Sequence, residues 1–142
     1  MTVKELMTKD VITVSPDASL KDVAKIFTEE RISGVPVITE GGQVVGIITL
    51  TDMLNILSCI YEWKELERGD TQPKLSEMSE QEKKKAKVKD VMTNNVFVLG
   101  ENDSIDDVMR MMFENKVHTL PVTREGKIVG IVGKRDLVLA CF

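Results

Sequence analysis

The sequence predicts an α/β fold of two matching units, each ordered strand, helix, strand, strand, helix and packed on the other around a pseudo-two-fold axis. Three observations predict it. The 142-residue chain repeats itself: Val3-Lys4-Glu5-Leu6-Met7-Thr8 returns as Val88-Lys89-Asp90-Val91-Met92-Thr93. Residues 3–37 align with 88–122 at an offset of 85 and, after a one-residue slip near Ile38, residues 39–54 align with 123–138 at an offset of 84, with 17 identities in 51 pairs. Within each copy, short β-branched runs alternate with segments of helical periodicity. A content of 42% apolar and 30% charged residues suits one compact domain with a real core. Units that cannot close their own cores bury their apolar faces on each other, and clefts between packed units are where small ligands bind.

The elements follow in order. Val11-Ile12-Thr13-Val14 and Val96-Phe97-Val98-Leu99 are apolar, mostly β-branched runs expected to be strands. Ser19-Leu20-Lys21-Asp22 and Ser104-Ile105-Asp106-Asp107 have capping-box form, serine at the cap and aspartate three residues on. Leu20, Val23, Ala24 and Phe27, and in the second copy Ile105, Val108, Met109 and Met112, place one apolar stripe on each following helix. Val35-Pro36-Val37-Ile38 and Leu120-Pro121-Val122-Thr123 are second strands, with the proline near the start, where a missing N–H is tolerated. Gly41-Gly42 and Glu125-Gly126 mark hairpin turns. Residues 44–48 and 128–132 supply third strands, completing a three-stranded sheet per unit.

Asp52 and Asp136 then open second helices, in the first turn where the helix dipole favours a carboxylate. The first of these helices is expected to continue to about Lys64, and the second stops within one or two turns at Phe142. The first unit is thus expected over 1–68, a linker over 69–87 and the second unit over 88–142. In the linker, Ser79-Glu80-Gln81-Glu82 predicts a short helix, and the lysines at 83–85 and 87 are nearly balanced by Asp70, Glu77, Glu80 and Glu82, as on a solvated face.

Composition narrows the function. A net charge of −4 offers no global attraction for nucleic acid or anionic lipid, and 4% aromatic residues give few platforms for stacking bases. No run approaches the roughly 18 apolar residues of a membrane span, and the N-terminus lacks a leader pattern, so a cytoplasmic chain with no membrane partner is expected. Cys59 and Cys141 stand apart without CxxC spacing and read as small apolar helix residues, not a disulfide or metal site. The sequence has no GxSxG, GxxxxGK[ST] or GxGxxG motif and no Cys–His arrangement of known spacing, so no enzyme is expected.

The chemistry gathers at the doubled Gly-to-Asp stretches. In Gly46-Ile47-Ile48-Thr49-Leu50-Thr51-Asp52 a strand ends just before a helix that carries an early carboxylate. Such a carboxylate can accept hydrogen bonds from both hydroxyls of a ribose, and the Thr49 and Thr51 hydroxyls with free N–H groups at the helix start suit phosphate oxygens. The same residues would serve equally as a plain helix cap. In the second copy, Gly130 to Asp136, Arg135 can fork onto phosphate or simply stand exposed at the helix start. Gly133, at the position of Thr49, lacks that hydroxyl, which counts against this copy as a site, although glycine permits close backbone approach. His118, the single histidine, occupies the position of Ser33 and reads either as a phosphate contact or as a structural residue beside Val117 and Leu120.

The repeated Val-Lys-Glu-Leu-Met-Thr segment, Ile32-Ser33-Gly34-Val35-Pro36-Val37, Val117-His118-Thr119-Leu120-Pro121-Val122 and the two Gly-to-Asp stretches, occurring twice in order, resemble the CBS domain. The pair resembles a Bateman module. The resemblance implies two βαββα units, often paired again as a homodimer, and a non-catalytic regulatory role. The implied ligand is an adenosine compound (AMP, ADP or ATP, with S-adenosylmethionine or NAD as alternatives), with no required cofactor and a separate effector enzyme or transporter as receiver. It places the ribose carboxylate at Asp52 and Asp136 and builds each site from both units. Asp136, Arg135, Gly133 and His118 would face Ser15, Leu20, Ile32 and Ser33, while Asp52, Thr49 and Thr51 would face Gly100, Ile105, Val117 and His118. The competing expectation is a ligand-free pairing module that uses a methionine-rich face of Met109, Met111 and Met112.

Overall fold

Short helices and hairpins recur in matching order through the computed structural model, which describes residues 1–57 and 86–142. The expected continuation of the helix beyond Leu57, Cys59, the linker helix near Ser79 and the lysine run at 83–85 lie outside the described residues. The first unit comprises α1 (Val3–Leu6), α2 (Leu20–Glu30), β1 (Gly34–Ile38), β2 (Val44–Thr49) and a helix, α3, described over 50–57. The second comprises α4 (Val88–Val91), β3 (Leu99–Gly100), α5 (Ile105–Asn115), β4 (Thr119–Arg124), β5 (Lys127–Gly133) and α6 (Lys134–Cys141).

Both serines cap their helices, but the reciprocal capping box closes only in the second copy. The Ser19 hydroxyl accepts from the Asp22 N–H at 3.1 Å, and Ser104 accepts from the Asp107 N–H at 3.1 Å while Asp107 accepts from the Ser104 N–H at 3.0 Å. These bonds satisfy backbone donors that a helix start leaves orphaned. The Ser104 donors hold the Asp107 carboxyl below the ordinary carboxylate range, with Arg110 adding a smaller pull. Each hairpin is antiparallel, and each carries a register shift at the same place, between Val37 and Ile38 and between Val122 and Thr123. Beyond the shift Ile38 pairs with Val44 but Thr123 with Ile128, so the first loop is one residue longer. That extra residue is the slip in the repeat alignment. Gly42 (φ 86°) and Gly126 (φ 81°) take the left-handed conformation that these turns require.

One expectation needs correction. The first strands are almost absent: Val11–Val14 contributes one bridge, Val14 to Val37, and Val96–Leu99 contracts to the two residues of β3. The reason lies upstream. Helix α1 packs not on its own unit but in the core of the second, where Val3 joins Leu99, Val108, Met112, Leu120, Val122 and Val132. Helix α4 reciprocates, with Val88 packed among Val14, Val23, Phe27, Val35, Val37 and Ile48. Residues 9–13 must therefore cross from one unit to the other, and a segment spanning a seam cannot also run along β1.

The inter-unit bridges fall into pairs related by the repeat offset. Thr8 to Ile131 mirrors Thr93 to Ile47, and Thr2 to Ser104 mirrors Lys87 to Ser19. Gln43 bridges its own counterpart Lys127, and a Cβ built on Gly34 would lie 3.1 Å from the side chain of its counterpart Thr119. The pseudo-two-fold axis therefore passes between residues 34 and 119.

Two predictions follow from these cores and caps. Val3→Ala and Val88→Ala should each cost about 2 kcal/mol, two buried methyl equivalents plus a residual cavity. Amide hydrogen exchange should show Val3→Ala loosening β4 and Val88→Ala loosening β1; the opposite pattern would contradict the exchange of helices. For Asp107, a lowered carboxyl pKa stabilises above the unfolded value and is lost as pH falls through the folded one. The melting-temperature deficit of Asp107→Asn should accordingly be largest at neutral pH and shrink as pH falls below the ordinary aspartate value of about 3.9.

Candidate functional site

The two second helices begin at the seam between the units. The Leu50 N–H donates to the Ser33 carbonyl and the Lys134 N–H to the His118 carbonyl, both at 3.0 Å, so each helix start is pinned beside the residue that precedes a strand of its own unit. Asp52 and Asp136 occupy matching places in these first turns. Each caps its own helix: the Thr49 N–H donates to Asp52 Oδ2 at 2.9 Å, and the Gly133 N–H donates to Asp136 Oδ2 at 2.7 Å. Each also takes a hydroxyl from the segment delivered by the other unit. Thr93 Oγ1 donates to Asp52 Oδ1 at 3.0 Å, and Thr8 Oγ1 donates to Asp136 Oδ1 at 3.2 Å. Cap and seam roles thus coexist on one carboxylate. The signal that could have revealed Thr8 and Thr93 was the repeated Met-Thr ending of the first motif, whose hydroxyl has no local partner to explain it.

A cleft of about 620 Å³ opens at the Asp136 seam, within the size range of small-molecule sites. It brings together Asp136, Arg135, Gly133 and His118 from the second unit with Ile32 and Ser33 from the first, six of the fourteen residues singled out from sequence. Two residues expected beside them stand elsewhere. Ser15 caps a local turn by accepting from the Asp17 N–H at 3.1 Å, and Leu20 packs against the first core. The cleft also holds residues not anticipated: Thr8, with Asp10 and Ile12 on the crossing segment after it, Arg31 at the end of α2, and Lys134 beside Arg135. Arg31 has a left-handed backbone (φ 54°) at the C-cap of α2, which turns the chain toward the seam.

Apart from His118, which was assigned to both seams and lines this cleft, the residues assigned to the other seam lie outside it. Thr49 is partly buried and bonded to Asp52, Thr51 is exposed, and the Gly100 N–H donates to Asp103 at 2.8 Å. Ile105 opens α5, and Val117 packs against the second core. Of the methionine face, Met112 is buried and Met111 packs against the second core, leaving Met109 exposed. Among the described residues, no cluster of His, Cys, Asp and Glu is arranged to hold a metal ion, and no helix is long and apolar enough to cross a membrane.

This geometry agrees with what comparison shows. The profile of the CBS domain family matches residues 3–59 and 88–142. An uncharacterised protein of Methanocaldococcus jannaschii is 35% identical over 99% of this chain and 90% of its own length. Inosine-5'-monophosphate dehydrogenase of the same organism is 32% identical over 94% of this chain, which spans only 22% of that enzyme. Among solved structures, CBSX2 in complex with AMP superposes with a TM-score of 0.76 at 26% identity, covering 99% of this chain and 95% of that one. A CBS-domain containing protein from Agrobacterium tumefaciens gives 0.76 at 26% identity, with both chains fully covered.

The seam makes its own prediction. Thr8→Val and Thr93→Val each remove one hydroxyl bond to a carboxylate and should cost about 1 kcal/mol apiece. The two seams share no partner, so chemical denaturation of the double variant should return the sum of the single losses within about 0.5 kcal/mol.

Proposed function

This chain belongs to the CBS domain family, as a tandem pair, and we propose that it is a non-catalytic regulatory module that takes an adenosine-containing nucleotide in the cleft between its units. The observation that carries the reading is the Asp136 seam. There a partly buried carboxylate, oriented by Gly133 and Thr8, lies in a cleft of about 620 Å³ together with Arg31, Lys134, Arg135 and His118. A fixed carboxylate beside clustered cations is the chemistry of a ribose diol next to a phosphate. Ile32 and Ile12 supply apolar surface for a base on the same walls. The AMP complex of the structural relative CBSX2 supports this ligand class.

The chain spans about a fifth of the dehydrogenase relatives it matches. A CBS pair there is a minor part of an enzyme chain, which supports a module whose output goes to an effector enzyme or transporter rather than one that turns over its ligand. A homodimer is part of the same proposal. Leu54 on α3 and its repeat counterpart Val138 on α6 are both exposed, 66% and 55%, with Leu139 beside the latter at 76%. Matched apolar positions on two symmetry-related helices give a self-complementary face.

Isothermal titration with AMP, ADP, ATP and S-adenosylmethionine tests the ligand, and Asp136→Ala should weaken the best binder by about tenfold or more. Ligand at a hundred times its Kd should raise stability by about 2.7 kcal/mol; an unchanged melting temperature at millimolar nucleotide would leave only the pairing module. Leu139→Asp should shift a dimer to monomer by sedimentation velocity while leaving the melting curve cooperative.

A further inference from the structure

The two seams are chemically unequal. By the repeat offset, Gly133-Lys134-Arg135-Asp136 stands where the first unit has Thr49-Leu50-Thr51-Asp52. Helix α6 therefore carries two cations in its first turn, where the positive end of the helix dipole disfavours them. The matching turn of α3 carries none. Both cations are exposed and line the cleft, and among the described residues neither is paired with a carboxylate. Local helix energetics give no reason for them. An anion bridging Lys134, Arg135 and Arg31 does.

The carboxylates differ in the same direction. Asp52 accepts three hydrogen bonds within the protein, from the Thr49 N–H, the Thr49 hydroxyl at 3.1 Å and the Thr93 hydroxyl. Asp136 accepts two, because Gly133 has no hydroxyl to give. A carboxylate offers about four acceptor positions, so Asp136 retains room for both hydroxyls of a vicinal diol and Asp52 for one. The place of a Cβ on Gly133 is also open, 3.7 Å from Asp136 Oδ2 and 3.9 Å from the His118 carbonyl oxygen.

We infer that the chain holds one phosphate-bearing nucleotide, at the Asp136 seam, and that Gly133, Lys134 and Arg135 are the residues that select this seam over its counterpart. The inference rests on the adenosine reading above and adds the stoichiometry and the residues that choose between the two seams. Lys134 and Arg135 hold phosphate and contribute nothing to an uncharged nucleoside.

The test pairs AMP with adenosine, by native mass spectrometry for stoichiometry and isothermal titration for affinity. Wild type should take one AMP per chain and bind it more tightly than adenosine. Replacing the cations with the first unit's own residues, Lys134→Leu with Arg135→Thr, should weaken AMP by about tenfold or more and change adenosine by less than about twofold. Retained adenosine binding reports that the double variant is folded, and the single variant Arg135→Gln repeats the comparison with minimal change of shape. Two AMP per chain, AMP bound no more tightly than adenosine, or AMP affinity indifferent to both variants would overturn the inference while leaving the adenosine reading intact. Binding of neither compound by wild type would remove that reading and the inference with it.

Discussion

The structure depends on one exchange: each unit's first helix completes the other unit's core. Helices α1 and α4 have four residues each, far too few to persist by their own backbone bonds. They exist because Val3 and Val88 are fully buried across the seam and because the backbone ties them there. Val3 N–H bonds the Asp103 carbonyl and Lys4 N–H the Glu101 carbonyl, mirrored by Val88 to Ala18 and Lys89 to Pro16, all at 2.9 Å. Arg124 reinforces one of these anchors from below through its fork onto Glu101. Neither unit can close its core without the other, and the threonines just downstream, Thr8 and Thr93, are carried to the opposite unit's aspartate as a consequence. A bipartite site follows directly from the packing.

The two halves share one packing scheme, and some of their differences fall at the seam cleft. In the cores Val23 and Val108, or Val37 and Val122, are the same residue and equally buried. At the axis they differ. Residues 34 and 119 face each other so closely that Gly34 leaves room for the side chain of Thr119. Nearby, Ser33 faces the role of His118, and Thr49, Leu50 and Thr51 stand against Gly133, Lys134 and Arg135. Packing constrains a buried valine from all sides, whereas a cleft residue answers only to what fills the cleft.

Much of the fold was legible because its signals are local. Serine caps with aspartate three residues on, glycines at the hairpin turns and the slip near Ile38 each have a physical cause within a few residues, and each appears where the sequence put it. The helix exchange was not legible. Periodicity says which face of a segment is apolar but not whose core receives it, and a pair of equivalent partners makes both answers equally consistent. The faded first strands follow from that ambiguity, since only the crossing of residues 9–13 explains why Val11–Thr13 do not pair. At the site, Asp136, Arg135, Gly133, His118, Ile32 and Ser33 were named from sequence and line one cleft. Thr8, Arg31 and Lys134 were missed because a lone hydroxyl and exposed cations carry no spacing rule of their own, and Ser15 and Leu20 are drawn into a turn and a core instead.

The shared duty of Asp136 bears on how occupancy would be felt elsewhere. Its Oδ2 already caps α6 through Gly133, and its Oδ1 already holds Thr8 of the exchanged segment. A diol on the same carboxylate must be accommodated without losing either bond, so it couples to the first turn of α6 and to the crossing segment at once. A ligand shifts an equilibrium only by its differential affinity for two states. With both units locked by buried valines and paired backbone bonds, a wide opening of the seam is the costly alternative. The inexpensive one is a change in the order of α6, which buries none of its residues and is secured chiefly at its first turn. Val138 and Leu139 lie on that helix and face outward. On the proposed reading, whatever tightens its cap also stiffens this exposed apolar surface, and ligand occupancy would thereby gain a readout at Val138 and Leu139.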